Sequence, residues 1–259
     1  MCLPIDFSPN NIIEINSLSK RYNNNLVIDR LNLVVRRGDF VSIVGRFGSG
    51  KTTILKIISG LINAYEGMVT IDGLSPVKAR SERKIGFVFQ KPTLLPWKSV
   101  LDNVRMPHVI SGSVNEEKIH KLIDAANLSR YTHIQADKLS GGTKQLVSII
   151  TALAQNPEIM LLDEAFSAID EINREEIYDL ITEFHKVTGT TILLVTHSIE
   201  EAVLLSDKVV VLSRSPARVI DIVDVDRQTK CDNTEESRSF IDTITKIKQL
   251  LRDEDSSNK

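Results

Sequence analysis

Eight consecutive residues, Gly45-Arg46-Phe47-Gly48-Ser49-Gly50-Lys51-Thr52, place glycines, a lysine and a hydroxyl at the spacing of a phosphate-cradling loop. Glycines let the backbone curl so that successive N–H groups aim at phosphate oxygens. A helix that starts there adds the positive end of its dipole. Lys51 then reaches the β- and γ-phosphates of a nucleotide, and the Thr52 hydroxyl, followed by Thr53, ligates Mg²⁺. At average residue usage a chain of this length matches the pattern by chance on the order of once in a hundred, so a plain glycine turn is a poor account of it. Two carboxylates, Asp163 and Glu164, end the apolar run Ile159 to Leu162. An aspartate there suits Mg²⁺, and a glutamate there suits polarising a water as general base. Ser140, Gly141 and Gly142 open a third polar segment. An ordinary helix cap and an anion site account equally well for it.

These groups need elements to hold them. Phe40 to Val44 is a short apolar run that reads as a strand, and Thr53 to Leu61 carries apolar residues at helical spacing, so the glycine loop sits between strand and helix. Ile12 to Val35 alternates apolar and polar residues around a turn at Asn23-Asn24-Asn25, predicting antiparallel strands. Further strands are expected at Ile85 to Phe89, Ile159 to Leu162, Thr190 to Val195, Val209 to Leu212 and Val219 to Val223, with an amphipathic helix over Glu171 to Val187. Strands separated by helices predict an α/β fold with a parallel sheet. From Val100 to about Asn156 the pattern is helical and too long for one crossover, with polar connections at Ser111-Gly112-Ser113 and Tyr131 to Lys138. It predicts an inserted α-helical subdomain over about 98–156, within a main domain of 12–226. Residues 227–259 form a polar extension carrying one amphipathic helix, Phe240 to Leu251.

The bulk properties narrow the class. The 259 residues carry a formal net charge of −2, which offers no basic surplus for nucleic acid. No apolar segment is long enough to span a bilayer, and the first residues lack the basic start and apolar core of a secretory signal. Cys2 and Cys231 are far apart and outside any metal-like spacing, consistent with two free thiols in a reducing compartment. A cytosolic chain that reaches a membrane only through a partner is expected.

Taken in order, GRFGSGKTT, LSGG and IMLLDEAFSAID resemble the ATP-binding-cassette (ABC) family over about Ile12 to Val223. The resemblance implies a P-loop NTPase (RecA-like) core with an N-terminal antiparallel β part. It also implies ATP hydrolysis with ATP and Mg²⁺ as cofactors. Residue by residue, it implies that Tyr22 in KRY stacks on adenine and that the loop from Gly45 to Thr53 holds the phosphates. Thr52, Gln90 and Asp163 meet Mg²⁺, Glu164 is the general base, Gln90 also touches the attacking water, and His197 bonds the γ-phosphate. Ser140, Gly141 and Gly142 contact ATP held by an opposite subunit, so each site is shared across a dimer.

The run LLPW-x-x-V-x-x-NV after Gln90, and Ser213 to Ile220, are similar to the importer branch serving nitrate, sulfonates and taurine. That implies an ATPase subunit on the cytoplasmic face of the cell membrane. Its partners would be transmembrane permease subunits, a second ATPase subunit (an identical copy or a close paralogue) and, indirectly, an extracytoplasmic solute-binding protein. The docking surface would be the helical insert and the Gln90 to Trp97 loop. Core packing accounts for Trp97 as well as docking does. The sequence departs from the family pattern at Arg46, Phe47, Thr143, Lys144, Leu146, Thr151 and Ala165, none of which touches phosphate, metal or water in the implied scheme. A weakly hydrolytic regulatory subunit paired with a more active one is the alternative that these changes raise. A nontransport relative acting on DNA or ribosomes is disfavoured by the single cassette and the lack of basic charge.

Overall fold

Period-two alternation shapes the start of the chain. Along Asn11–Tyr22 it buries Ile13 and Ile15, with Leu18 buried beyond a register shift that follows Ile15, and along Asn25–Arg36 it buries Leu31, Leu33 and Val35. In the computed structural model, which describes residues 10–112, 114–226 and 234–257, these become strands β1 and β2. Then follow β3 (Phe40–Val44), α1 (Lys51–Ile58), β4 (Glu66–Ile71), α2 (Pro76–Ser81), β5 (Ile85–Val88), α3 (Val100–Ser111), α4 (Glu116–Ala125) and α5 (Gly141–Ala154). The order continues with β6 (Ile159–Asp163), α6 (Glu171–Thr188), β7 (Thr191–Val195), α7 (Ile199–Leu205), β8 (Lys208–Leu212), β9 (Val219–Asp224) and α8 (Thr234–Ser257). Both cysteines, Ser113 and the polar stretch 227–233 lie outside the described residues.

The chain divides into two compact units. The first takes the residues up to Glu82 and those from His197 onward. In it β1 pairs antiparallel with β2 on one edge and with β4 on the other. The polar, exposed start of β4 hides it from a periodicity reading; Gly67 at its second position lies so close to β1 that an added Cβ would meet the Ser17 carbonyl oxygen at 2.4 Å. β3 is buried along all five residues and pairs parallel with β8, which pairs antiparallel with β9. A strand buried on both faces need not alternate, so β3 appears in the sequence as a short apolar run interrupted only by the buried Ser42. α8 extends several residues beyond each end of the helix expected at Phe240 to Leu251. Its Ile244 and Ile247 are buried in one cluster with Val44, Ala202, Val203, Val209, Val211 and Val223. Complete burial of a side chain such as Ile247 contributes roughly 1.5–3 kcal/mol, so the helix is a fixed part of this unit.

The second unit, Arg83–Thr196, holds the parallel trio β5, β6 and β7, with β6 in the centre. Between β5 and β6 lie α3, α4 and α5, plus single 3₁₀ turns at Ser129–Tyr131 and Ala136–Lys138. Ser99 caps α3 by accepting from the Asp102 N–H at 3.1 Å. Buried Asn103 accepts from the Leu95 N–H at 2.8 Å and donates to the Leu95, Lys98 and Ser99 carbonyls. One amide thus pins the turn that follows Gln90. No described helix is long and apolar enough to cross a membrane.

Candidate active site

The glycine loop runs from the end of β3 to the start of α1 in the first unit. Gly48 and Gly50 both take positive φ, 75° and 90°, a backbone that side-chain-bearing residues rarely adopt. Gly45 is required for space: an added Cβ would meet Ser49 Oγ at 2.9 Å and Leu212 Cβ at 3.2 Å. Lys51 is buried, and its Nζ donates to the Gly45 carbonyl at 2.8 Å and the Arg46 carbonyl at 2.9 Å. The ammonium is therefore desolvated beforehand and held on the loop's own oxygens. Thr52 and Thr53 are half-buried on the first turn of α1, while Phe47 is fully exposed and Arg46 also faces outward. Ser49 is buried beneath the loop.

Tyr22 ends β1, is 43% exposed, and has Lys20 Nζ 4.7 Å from its ring centre. His197 is exposed just ahead of α7, whose N-terminus Ser198 caps by accepting from the Glu201 N–H at 3.1 Å. His197 and the loop residues Gly45, Arg46 and Phe47 line a common cavity of about 410 Å³. This volume falls in the range of small-molecule sites.

In the second unit, Asp163 is buried at the end of β6, opposite Val195 of β7. Glu164 follows with φ 46°, and its N–H donates to the Val195 carbonyl at 2.8 Å. A left-handed, non-glycine residue costs on the order of 1–3 kcal/mol and persists only where its surroundings hold it. Here the strained turn aims the carboxylate toward Gln90, whose Nε2 donates to Glu164 Oε2 at 2.8 Å. These two residues, 74 apart in sequence, are therefore brought together. Ser140 accepts from the Thr143 N–H at 3.2 Å and caps α5, leaving Gly141 and Gly142 on the first turn. Gly142 passes close to the chain after Glu164, where an added Cβ would meet the Ala168 carbonyl oxygen at 2.9 Å. Ala165 is buried, Leu146 is nearly so, and the Thr151 hydroxyl donates back to the Val147 carbonyl at 2.7 Å. The departures from the family pattern at these three positions are thus taken up by packing and by the helix itself.

Sequence reasoning missed Gln145. It is completely buried on α5, and its Nε2 donates at 3.0 Å to the carbonyl of Phe89, the residue before Gln90. Its Oε1 is buried without a partner among the described residues. The available signal was an amide directly ahead of the apolar run Leu146 to Ile150, on a face that should be buried. A second cavity, about 760 Å³, opens in the same unit among Leu94, Leu95, Met106, Ile110, Val114 and Thr151.

Residues 28–167, just over half of the chain, match the family described as ABC transporter. The chain belongs to that family. It is an ATP-binding subunit and an ATPase, with the α/β fold of the ABC cassettes. The aliphatic sulfonates import ATP-binding protein of Bacillus thuringiensis subsp. konkukian is 32% identical, over 92% of this chain and 94% of its own. The taurine import ATP-binding protein of Rhizobium johnstonii is 36% identical over 82% of each. The nitrate import ATP-binding protein of Synechococcus elongatus is 36% identical over 75% of this chain and 72% of its own. Among solved structures, a dimeric ATP-binding cassette in a post-hydrolysis state bound to ADP and Pi superposes with a TM-score of 0.76 at 31% identity, covering 83% of this chain and 99% of that one.

The described residues contain no cluster of three or more His, Cys, Asp or Glu that would hold a metal alone. A phosphate-linked Mg²⁺ needs only one or two protein groups, because phosphate oxygens and water complete its octahedron. Thr52 in the first unit, and Gln90 and Asp163 in the second, each carry an oxygen of the hard type that Mg²⁺ prefers.

Proposed function

We propose that this chain powers uptake of a small oxyanionic solute of the nitrate, sulfonate or taurine kind by hydrolysing ATP beneath a membrane permease. The observation that carries the hydrolytic part is the held carboxylate: Glu164 sits on a strained strand end with Gln90 donating to it at 2.8 Å. The import relatives and the LLPW run support the transport part.

Each residue has a role in this reading. The backbone amides from Gly45 to Thr53 and the Lys51 ammonium hold the phosphates. Tyr22 offers a ring face to the adenine. Thr52, Gln90 and Asp163 hold Mg²⁺, which supplies charge neutralisation on the phosphate oxygens. Glu164 accepts a proton from the attacking water, Gln90 orients that water, and His197 donates to the terminal phosphate. Ser140, Gly141 and Gly142 serve the nucleotide of a second ATPase subunit, either an identical copy or a close paralogue. The nucleotide-binding domain is 12–226, with the helical part near 98–156 facing the permease. The docking surface is the helical insert and the Gln90 to Trp97 loop, where the 760 Å³ cavity opens among Leu94, Leu95, Met106 and Ile110. Location at the cytoplasmic face follows from that docking. The test is reconstitution with permease subunits and a solute-binding protein in vesicles. ATP turnover should rise on adding nitrate, taurine or an alkanesulfonate; a complex that none of the three stimulates would overturn the assigned solute class.

A further inference from the structure

The 760 Å³ cavity opens between the turn before Trp97, α3, the start of α4 and the end of α5, all within the second unit. Its walls are apolar where Leu94 and Met106 line it, and Ile110 and Val114 stand exposed at its edge. Its charge is one-sided. Arg83, His108 and Lys118 line it, and no carboxylate does so among the described residues. We propose that Lys118 selects the permease segment that docks here, by pairing with an aspartate or glutamate that this segment carries among apolar side chains. This rests on the docking reading above and adds to it the chemistry of the partner.

Three observations carry the proposal. Lys118 is half-buried, yet its ammonium makes no ion pair among the described residues, and burial pushes it below the ordinary lysine range. The carboxylates beside it on α4 hold other cations: Glu116 pairs with Arg105 at 2.8 Å and Glu117 with Lys121 at 2.6 Å. The lysine is also positioned. Its Nζ lies 5.9 Å from the ring centre of the buried Phe184, within reach of a cation–ring attraction, so the side chain runs from that ring to the cavity wall. Third, Arg83 brings a second cation to the cavity and donates at 2.9 Å to the Ile110 carbonyl, which holds the exposed end of α3 at the edge. An apolar cavity with a partly desolvated ammonium in its wall is complementary to an amphipathic segment bearing one carboxylate. It rejects a segment that brings a cation, because two like charges would then be shielded from water together. The pair is discriminating even where its net gain in affinity is modest.

The test uses the full chain in complex with the permease subunits that co-purify with it from its own membranes. A carbodiimide condenses a lysine amine with a carboxylate in contact, itself taking up the water as a urea, and mass spectrometry of the digest identifies both residues. An amide between Lys118 and an aspartate or glutamate of a permease subunit is expected. Affinity for the solubilised permease is then compared for wild type, Lys118→Arg, Lys118→Met and Lys118→Glu, with the thermal midpoint of each chain checking that it is folded. Lys118→Met keeps the stem and should weaken the complex roughly three- to tenfold, Lys118→Glu about tenfold or more, and Lys118→Arg less than about threefold. Changing the cross-linked carboxylate to lysine should restore binding to Lys118→Glu. Lys118→Met and Lys118→Glu complexes as tight as wild type overturn the proposal, as does a Lys118 cross-link to a second copy of this chain in place of the permease. A folded wild-type chain that binds no permease would instead overturn the docking reading itself.

Discussion

Replacing Lys51 with alanine should separate nucleotide affinity from fold. The Nζ donates at 2.8 and 2.9 Å to the Gly45 and Arg46 carbonyls, and the side chain is only 6% exposed. Most of the ammonium's desolvation is therefore already met on folding and is not charged again on binding. At about 4 Å and an effective dielectric near 20, one unit charge facing a phosphate is worth about 4 kcal/mol. Turning to the phosphates gives up carbonyl contacts worth roughly 1–2 kcal/mol net, leaving about 2–3 kcal/mol in favour of binding. Lys51→Ala should then weaken Mg-ATP by roughly 30- to 160-fold. The empty protein loses those carbonyl contacts too. A loss of about 1–2 kcal/mol lowers the midpoint of a chain this size by roughly 2–8 °C. Isothermal titration with a non-hydrolysable analogue reads the affinity, and calorimetry reads the midpoint. An affinity within twofold of wild type, with the expected thermal loss, would refute the placement of Lys51 at the phosphates and leave it a loop staple.

Other perturbations follow from single contacts. Gly142→Ala puts a Cβ 2.9 Å from the Ala168 carbonyl oxygen, a backbone atom, so the start of α5 must shift; a stability loss of about 1–3 kcal/mol by denaturant titration is expected, together with reduced ATP turnover. Gln145→Leu removes both the bond to the Phe89 carbonyl and a partnerless buried oxygen. These effects oppose each other, so stability should stay within about 1 kcal/mol while kcat falls and the KM for ATP holds, as expected of a residue that positions Gln90. The hydrogen bond from Lys248 holds the Glu200 carboxyl below its ordinary pKa. Its contribution to stability is present above the unfolded-state value and is lost as pH falls through the lower folded-state value. Lys248→Ala should move the Glu200 titration, followed by carbon NMR, back up toward the ordinary carboxylate range.

What the sequence makes legible is what lies contiguous along it. The loop from Gly45 to Thr52 sits in eight adjacent residues flanked by a short, mostly apolar strand and a periodic helix, so its chemistry and its setting are read together. Glu164 is legible as a carboxylate after a strand, but its left-handed turn and its bond from Gln90 depend on chain segments 74 residues apart. Gln145 looks like one polar residue in a helix until its burial against Phe89 is known. β4 begins with three exposed residues and α7 spans only seven, too little for a period to declare itself. α8 is legible as a helix from its apolar spacing. Its seat beside Val44 and His197 is a tertiary fact with no local signal.

The central claim is that Glu164 activates water on bound ATP. Substitution Glu164→Gln keeps the side chain's shape and its place beside Gln90 but removes the proton acceptor. Single-turnover hydrolysis of radiolabelled Mg-ATP by the full chain at matched nucleotide occupancy tests this most directly. The account predicts a rate at least 100-fold below wild type, with ATP binding preserved within a few-fold, in line with the typical contribution of general-base catalysis. A Glu164→Gln protein that hydrolyses bound ATP at the wild-type rate would contradict it.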